Sequence, residues 1–391
     1  MRPSIFQISS LLLPMISARP STRPMSILTD QYKVFDDIPT EKIALAHDDL
    51  LEIGRMAIAI NSAYYPKENK LQPHPPNLFI NQIRHSKRHQ DPSQRPHMEE
   101  SSIIVSSEDP EFTDDQIIGG DIKWYISHTP STQTLTLALS SLSSTDELLE
   151  LLASSPKHNQ SLVPLRNLLF PFELLPTFPT DEQPLIYHSY VDSIVSHGDS
   201  ALSSLLNLIE TPPLTVSSSH RDVIKEYVTS LANPVPAAKH APIKKVEIIG
   251  HGLGSIVGLM VSFALKLELE SSMGQLSNEI DIKANLLGLP RIGNSHFAKL
   301  IDNHITRNQP SLQVNRIISY YDTITHLPGR HLGLKHHAKN ELWIGPDSRT
   351  VYLCTVESKD CSDGVKLSKT SLLDHLGPYG GVWIDTHCKM E

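Results

Sequence analysis

Residues Val246 to Glu268, VEIIGHGLGSIVGLMVSFALKLE, constrain this chain more than any other stretch. A short β-branched run, Val246, Ile248 and Ile249, reads as a buried strand. Gly250-His251-Gly252-Leu253-Gly254 then demands a sharp turn. Beyond it, Ile256, Val257, Met260, Val261, Ala264 and Leu265 continue as a helical pattern that is apolar on most sides and so belongs in a core. Elsewhere strand patterns (Ile282–Leu289 and Val314–Tyr321) alternate with helical ones (Val191–Leu208, Arg221–Leu231 and His296–Ile305), which points to an α/β fold with a central, mostly parallel sheet.

A strand, a glycine-rich turn and a helix are also the frame of the G-x-S-x-G elbow of α/β-hydrolases, in which the middle residue stands above the sheet as a nucleophile. The flanking glycines permit close approach of strand and helix, and the helix N-terminus aims N–H groups at a developing oxyanion. Here the middle residue is Gly252, which keeps the turn but carries no oxygen. Taken alone, such a turn is equally an ordinary strand-to-helix connection.

The remainder of the chain reads as follows. Thr40 to Tyr65 has helical periodicity, with Ile43, Leu50, Ile53, Met56 and Ala57 on one face. Residues 66–117 are polar and rich in Pro, Ser, His and Gln, and are expected to be a partly disordered insertion. Asp121 to Ser140 alternates as a β-hairpin around Pro130-Ser131-Thr132. Ser143 to Asp146 is a helix start leading into Leu148, Leu149, Leu151 and Leu152. The proline-broken segment Leu162 to Phe178 is either core or an exposed lipid-facing cover. No internal repeat is found.

Charge and cysteine usage narrow the function classes. The 391 residues carry a net charge of -9, which argues against nucleic acid as partner. No apolar run is long enough to span a membrane. The leader MRPSIFQISSLLLPMISARP has Arg2, an apolar run, and small residues at Ser17 and Ala18, so residues 1–26 are expected to be a signal peptide or disordered leader. Secretion is the expectation and a cytoplasmic location the alternative. Asn159-Gln160-Ser161 is one glycosylation sequon. A Cys354–Cys361 bridge with Cys388 left over is one reading, and three free thiols is the other. No Cys/His cluster has metal-ligand spacing, and neither a metal nor another cofactor is called for.

Five stretches, the elbow among them, carry a resemblance. GHGLGS at Gly250, GLPRIGN at Gly288, RIISYYDTITHLP at Arg316 and SLLDHLGPYG at Ser371 stand in order, with HAKNELWI at His337 between the last two. Together they resemble fungal class 3 lipases, whose corresponding stretches read GHSLGG, G-x-PR-[VI]-GN, R-[VI]-x-N-x-x-D-x-[VI]-x-x-LP, DH-x-x-Y and H-A-x-x-E-x-W-I. The resemblance is good over roughly the last 150 residues and looser upstream, and makes residues 27–391 one lipase-like domain. It implies that Asp322 is the acid and His375 the base of a triad whose nucleophile position is Gly252. The backbone amide of Leu253 would be one oxyanion donor. The family's RG[ST] turn, which supplies another, reads Ser140-Ser141-Leu142 here, so Leu142 stands where the hydroxyl is expected. Residues from Asp146 to Ser155 would be the lid helix, which implies a lipid interface, and the family bears a bridge at the place of Cys354 and Cys361. The expected ligand is an acyl lipid or ester. With Gly252 and Leu142 both altered, the expectation is an impaired hydrolase; the alternatives are an active esterase using a relocated nucleophile such as Ser255, and a non-catalytic binding or interaction scaffold.

Overall fold

A computed structural model describes residues 43–45, 47–64, 101–109, 122–142, 145–153, 162–168, 172, 175–213, 242–272, 280–306, 310–336, 340–347, 350–354 and 361–384. The expected leader, the sequon at Asn159, the helix at Arg221–Leu231, His337 and Cys388 lie outside the described residues. The chain divides after Thr40, and everything below concerns the unit that follows.

In chain order the elements are β1 (Ile43–Ala44), α1 (His47–Ala63), β2 (Ser102–Ser106), β3 (Trp124–Thr129), β4 (Thr134–Leu139), α2 (Thr145–Ala153), β5 (Leu162–Pro164), β6 (Leu185–Tyr187), α3 (Val191–Glu210), β7 (Lys245–His251), α4 (Leu253–Ser272), β8 (Asp281–Leu287), α5 (Ser295–His304), β9 (Ser311–Ser319), β10 (Glu341–Ile344) and β11 (Val351–Cys354). Nine strands form one sheet in the order β1-β11-β10-β9-β8-β7-β4-β3-β2, and β5 and β6 form a separate pair. The five central strands are parallel, with antiparallel strands at both edges.

The two-residue period of the strands decides which side chains meet which helices. Ile248, Leu286 and Val314 join α3 and α4 in the main core. Ile249, Leu287 and Ile317, each an odd number of positions along the same strands, face the other way and pack with Leu50, Ile53, Ala57 and Ile60 of α1. Two residues earlier on three strands the α1 side turns polar. Arg55 donates to Glu247 at 2.8 Å, Asn285 donates to Glu247 at 2.9 Å, and Asn315 donates to Asn285 at 2.8 Å. This ladder satisfies buried polar groups that would otherwise be costly.

Strand β2 falls inside the stretch expected to be an insertion. The β-branched run Ser102–Ser106, SIIVS, is short and set among polar residues, but β3 offers an unpaired edge and takes it up antiparallel. The segment from Leu162 resolves in favour of core: Leu165, Leu168, Phe172 and Leu175 are buried, and the Phe172 and Phe263 rings lie 5.8 Å apart. In α2, Leu148 and Leu152 are likewise buried in the main core.

Candidate active site

The site forms at the carboxyl ends of β7, β8 and β9. The strand-to-helix turn after β7 is held tightly: a Cβ on Gly254 would lie 2.0 Å from the Ser140 carbonyl oxygen, so only glycine lets α4 start against the end of β4. Gly252 has φ 52°, the left-handed conformation that a non-glycine residue would hold only under strain. Its N–H donates to the Leu287 carbonyl at 3.0 Å. The Ser255 hydroxyl donates to the same carbonyl at 2.8 Å and is fully buried. Ser255 therefore fastens the turn to β8 rather than standing free at its apex.

Asp322 lies three residues beyond β9, at full burial. One carboxylate oxygen accepts the Ile324 amide at 2.8 Å and the other meets His375 Nδ1 at 2.9 Å. His375 is brought there because the segment 371–376 runs beside residues 321–323. Ser371 donates to the Tyr321 carbonyl at 2.8 Å, and the Tyr321 amide donates to Asp374 at 3.1 Å. The imidazole is buried, and its Nε2 has no hydrogen-bond partner among the described residues. The Asp322 contact selects the tautomer with the proton on Nδ1, which leaves Nε2 as the basic nitrogen. That nitrogen points at the elbow: a Cβ built on Gly252 would lie 2.9 Å from it. Behind the ring, Gly288 (φ 61°) leaves room that any Cβ would fill, since one would lie 2.6 Å from His375 Cε1.

A second histidine braces the first. His251 stacks on His375 with centroids 4.3 Å apart and donates from Nε2 to the His375 carbonyl at 2.9 Å. Burial holds the His251 pKa well below the ordinary histidine value, and the neighbouring His375 lowers it further. Asp374 goes the other way. Burial pushes its carboxyl from 3.8 to about 6, with nearby Asp322 adding to the rise against the opposing Tyr321 amide.

The motifs read separately in sequence meet here. Buried Arg291, from the GLPRIGN stretch, donates to the carbonyls of His326 and Pro328 in the loop that follows Asp322. Asn294 caps α5 through the Phe297 amide at 2.9 Å and accepts the Leu185 amide of β6 at 3.1 Å. His326 and His336 lie against backbone carbonyls at 3.0 and 2.8 Å, as structural histidines do. Cys354 and Cys361 form a disulfide with Cα atoms 6.4 Å apart.

The turn after β4 departs from the expectation. The Leu142 side chain is buried in the main core. The residue that reaches the elbow is Ser141, whose Oγ accepts the Leu253 amide at 3.2 Å. The Ser141 amide in turn donates to the Tyr64 hydroxyl at 3.1 Å. A serine between Ser140 and Leu142 has no periodicity to announce it, and Tyr64 lies at the far end of α1 in sequence. Neither could be placed without the fold.

Comparison with known proteins bears on the family and the fold. The family described as Lipase (class 3) matches residues 200–332, a span that takes in Gly252 and Asp322 and stops short of His375. The secreted mono- and diacylglycerol lipase MDL2 of Malassezia globosa is 33% identical over 106 residues, 27% of this chain and 30% of that protein. LIP1 of the same organism, likewise a secreted mono- and diacylglycerol lipase, is 32% identical over 107 residues, 27% of this chain and 31% of that protein. The matched stretch thus spans less than a third of these relatives. The fold similarity is wider. The Rhizomucor miehei lipase in its propeptide complex superposes with a TM-score of 0.52 at 18% identity, over 94% of this chain and 95% of that one. This chain is a class 3 lipase-like protein. Lip2 lipase from Yarrowia lipolytica shares the same α/β-hydrolase fold, at a TM-score of 0.57 and 18% identity over 89% and 98% of the two chains.

Proposed function

We propose that this lipase-like protein binds acyl lipids or esters and hydrolyses them poorly or not at all. The single observation that carries the reading is Gly252 at the elbow: His375 Nε2 is aimed at a residue with no hydroxyl. Asp322 would act as the positioning acid and His375 as the base, but a base without a nucleophile has nothing to activate. Removing the nucleophile from a triad leaves only about 10³–10⁴-fold acceleration over water, from binding and the oxyanion donors. The Ser255 hydroxyl is committed to the Leu287 carbonyl, which speaks against a nucleophile relocated there.

The substrate class is taken from the relatives, which are lipases of mono- and diacylglycerols. Those relatives are also secreted, and the Cys354–Cys361 disulfide suits an oxidising compartment, so secretion belongs to the same reading. Contact with a lipid surface would run through the region of α2, where Leu149 and Leu151 are half-buried.

Two measurements on the pure wild-type protein test the proposal. Hydrolysis of p-nitrophenyl butyrate and palmitate should stay at the buffer rate, and a fluorescent long-chain fatty acid should bind saturably. Turnover that disappears in Ser255→Ala would replace the proposal with a relocated nucleophile. An absence of both turnover and lipid binding would leave a scaffold that uses only the fold.

A further inference from the structure

We infer that Ser141 is an internal blocker of this site, and that a serine at 141 and a nucleophile at 252 are mutually exclusive. The inference rests on the reading of Gly252 as a lost nucleophile and explains why the loss is not a single-residue event.

Two contacts carry it. The first is chemical. The Leu253 amide, first of α4, is the donor that would face a substrate oxyanion, and it has one proton. The Ser141 Oγ accepts that proton at 3.2 Å, so a hydroxyl oxygen of the protein itself takes the place of the acyl oxygen. The second is steric. A Cβ on Gly252 would lie 2.5 Å from Ser141 Oγ, 3.1 Å from Ser141 Cβ and 2.9 Å from His375 Nε2. A real Cβ does not approach another heavy atom within 3.0 Å, so the contacts with Oγ and Nε2 are too short, and the one with the Ser141 Cβ is tight. Turning the Ser141 hydroxyl aside relieves only one of them.

The neighbours cannot readily give way. The Ser141 backbone is tied to the Tyr64 hydroxyl, and the residue is buried. His375 is held by Asp322 on one side and by the stacked His251 on another, and Gly288 lies close against its ring. The Ser141 side chain accounts for two of the three close contacts and is the part that substitution can remove, while the third requires the imidazole tip of His375 to shift slightly. Gly252→Ser alone, the obvious repair, puts a hydroxyl into a site where its own Cβ does not fit and where the oxyanion amide is occupied.

The test is a set of five proteins: wild type, Gly252→Ser, Ser141→Gly, Ser141→Gly/Gly252→Ser and Ser141→Ala/Gly252→Ser. The probe is a p-nitrophenyl alkylphosphonate. In a competent site the introduced hydroxyl gives its proton to His375 Nε2 and its oxygen bonds to phosphorus. The bond from phosphorus to p-nitrophenolate breaks, and the coloured anion leaves. Absorbance follows the rate, and peptide mass locates the adduct. One oxyanion donor is worth about 10²–10³ in rate, so Ser141→Gly/Gly252→Ser should react at least about 10²-fold faster than Gly252→Ser. The Ser141→Ala double variant, which frees the amide but keeps a Cβ at 141, should fall between them. It also decides the matter if the glycine version fails to fold. Wild type and Ser141→Gly should not react. Equal rates for Gly252→Ser and both double variants would overturn the inference, as would folded but inert double variants. An adduct on Ser141 in the wild type would overturn it too, by making Ser141 the nucleophile. Wild-type ester hydrolysis with no adduct at 141 would instead remove the reading of an impaired enzyme.

Discussion

Asp374→Asn should stabilise the fold at alkaline pH and leave it nearly unchanged in acid. Asp374 is mostly buried beside His375, its carboxyl is pushed from 3.8 to about 6, and Asp322 lies close by. Because the folded pKa lies above the unfolded one, the protonated form is the one that the fold favours. The contribution to stability is fully present below pH 3.8 and is lost as pH rises through about 6. Each pKa unit corresponds to about 1.36 kcal/mol, so the carboxylate costs at most about 3 kcal/mol above pH 7. Asparagine keeps an oxygen for the Tyr321 amide and carries no charge at any pH. An unfolding entropy of about 2.1 cal/mol/K per residue makes 1 kcal/mol worth roughly 1.4 °C in a domain of roughly 350 residues. The variant should therefore melt about 2–4 °C above wild type at pH 8, with the gap closing toward pH 4. Scanning calorimetry in steps from pH 4 to 8 measures it. A gap that is constant across that range, or a variant less stable at pH 8, would show that the buried carboxylate is not the penalised group.

Three further outcomes are expected. Arg316 and Glu341 form a fully buried pair at 3.0 Å, so Arg316→Met should lower urea stability by about 3–5 kcal/mol; adding Glu341→Gln, which keeps the acceptor for the Ser362 amide, should recover part of it. Thiol titration in denaturant should find one reactive group before reduction and three after, and reduction should cost about 2.5 kcal/mol, the closure entropy of so short a loop. Leu142→Thr should add no phosphonate reactivity, even beside Ser141→Gly/Gly252→Ser, and should cost about 1–3 kcal/mol in a thermal melt, because it buries a hydroxyl in the main core.

Much of the fold was legible because its signals are local. The β-branched run from Val246 and the apolar stripe that follows specify β7 and α4 with little help from anything else, since period and glycine spacing act within a few residues. The hairpin at Asp121–Ser140 became β3 and β4 for the same reason. The helix expected over Val191–Leu208 ends at Glu210, and the strand expected at Val314 begins at Ser311, small shifts at boundaries where local signals are weakest. Strand β2 was hidden because its five residues have no strength of their own; pairing with β3 completes it.

The site divides along the same line. Sequence by itself determined which residues stand at the elbow apex and beyond the β9 strand, because each is fixed by covalent distance from a regular element. It thus supplied Gly252, the neighbourhood of Asp322, and the absence of a side-chain hydroxyl between Gly250 and Gly254. Only the tertiary structure decided that Ser141 rather than Leu142 faces that apex, that Tyr64 holds it there, and that the Asp374 charge is penalised while neighbouring Asp322 is held by an amide and an imidazole. The physical reason is that side-chain direction in a turn depends on backbone dihedrals set by packing, and a carboxyl's pKa on partners brought from dozens of residues away. Neither quantity has a period that can be read along the chain.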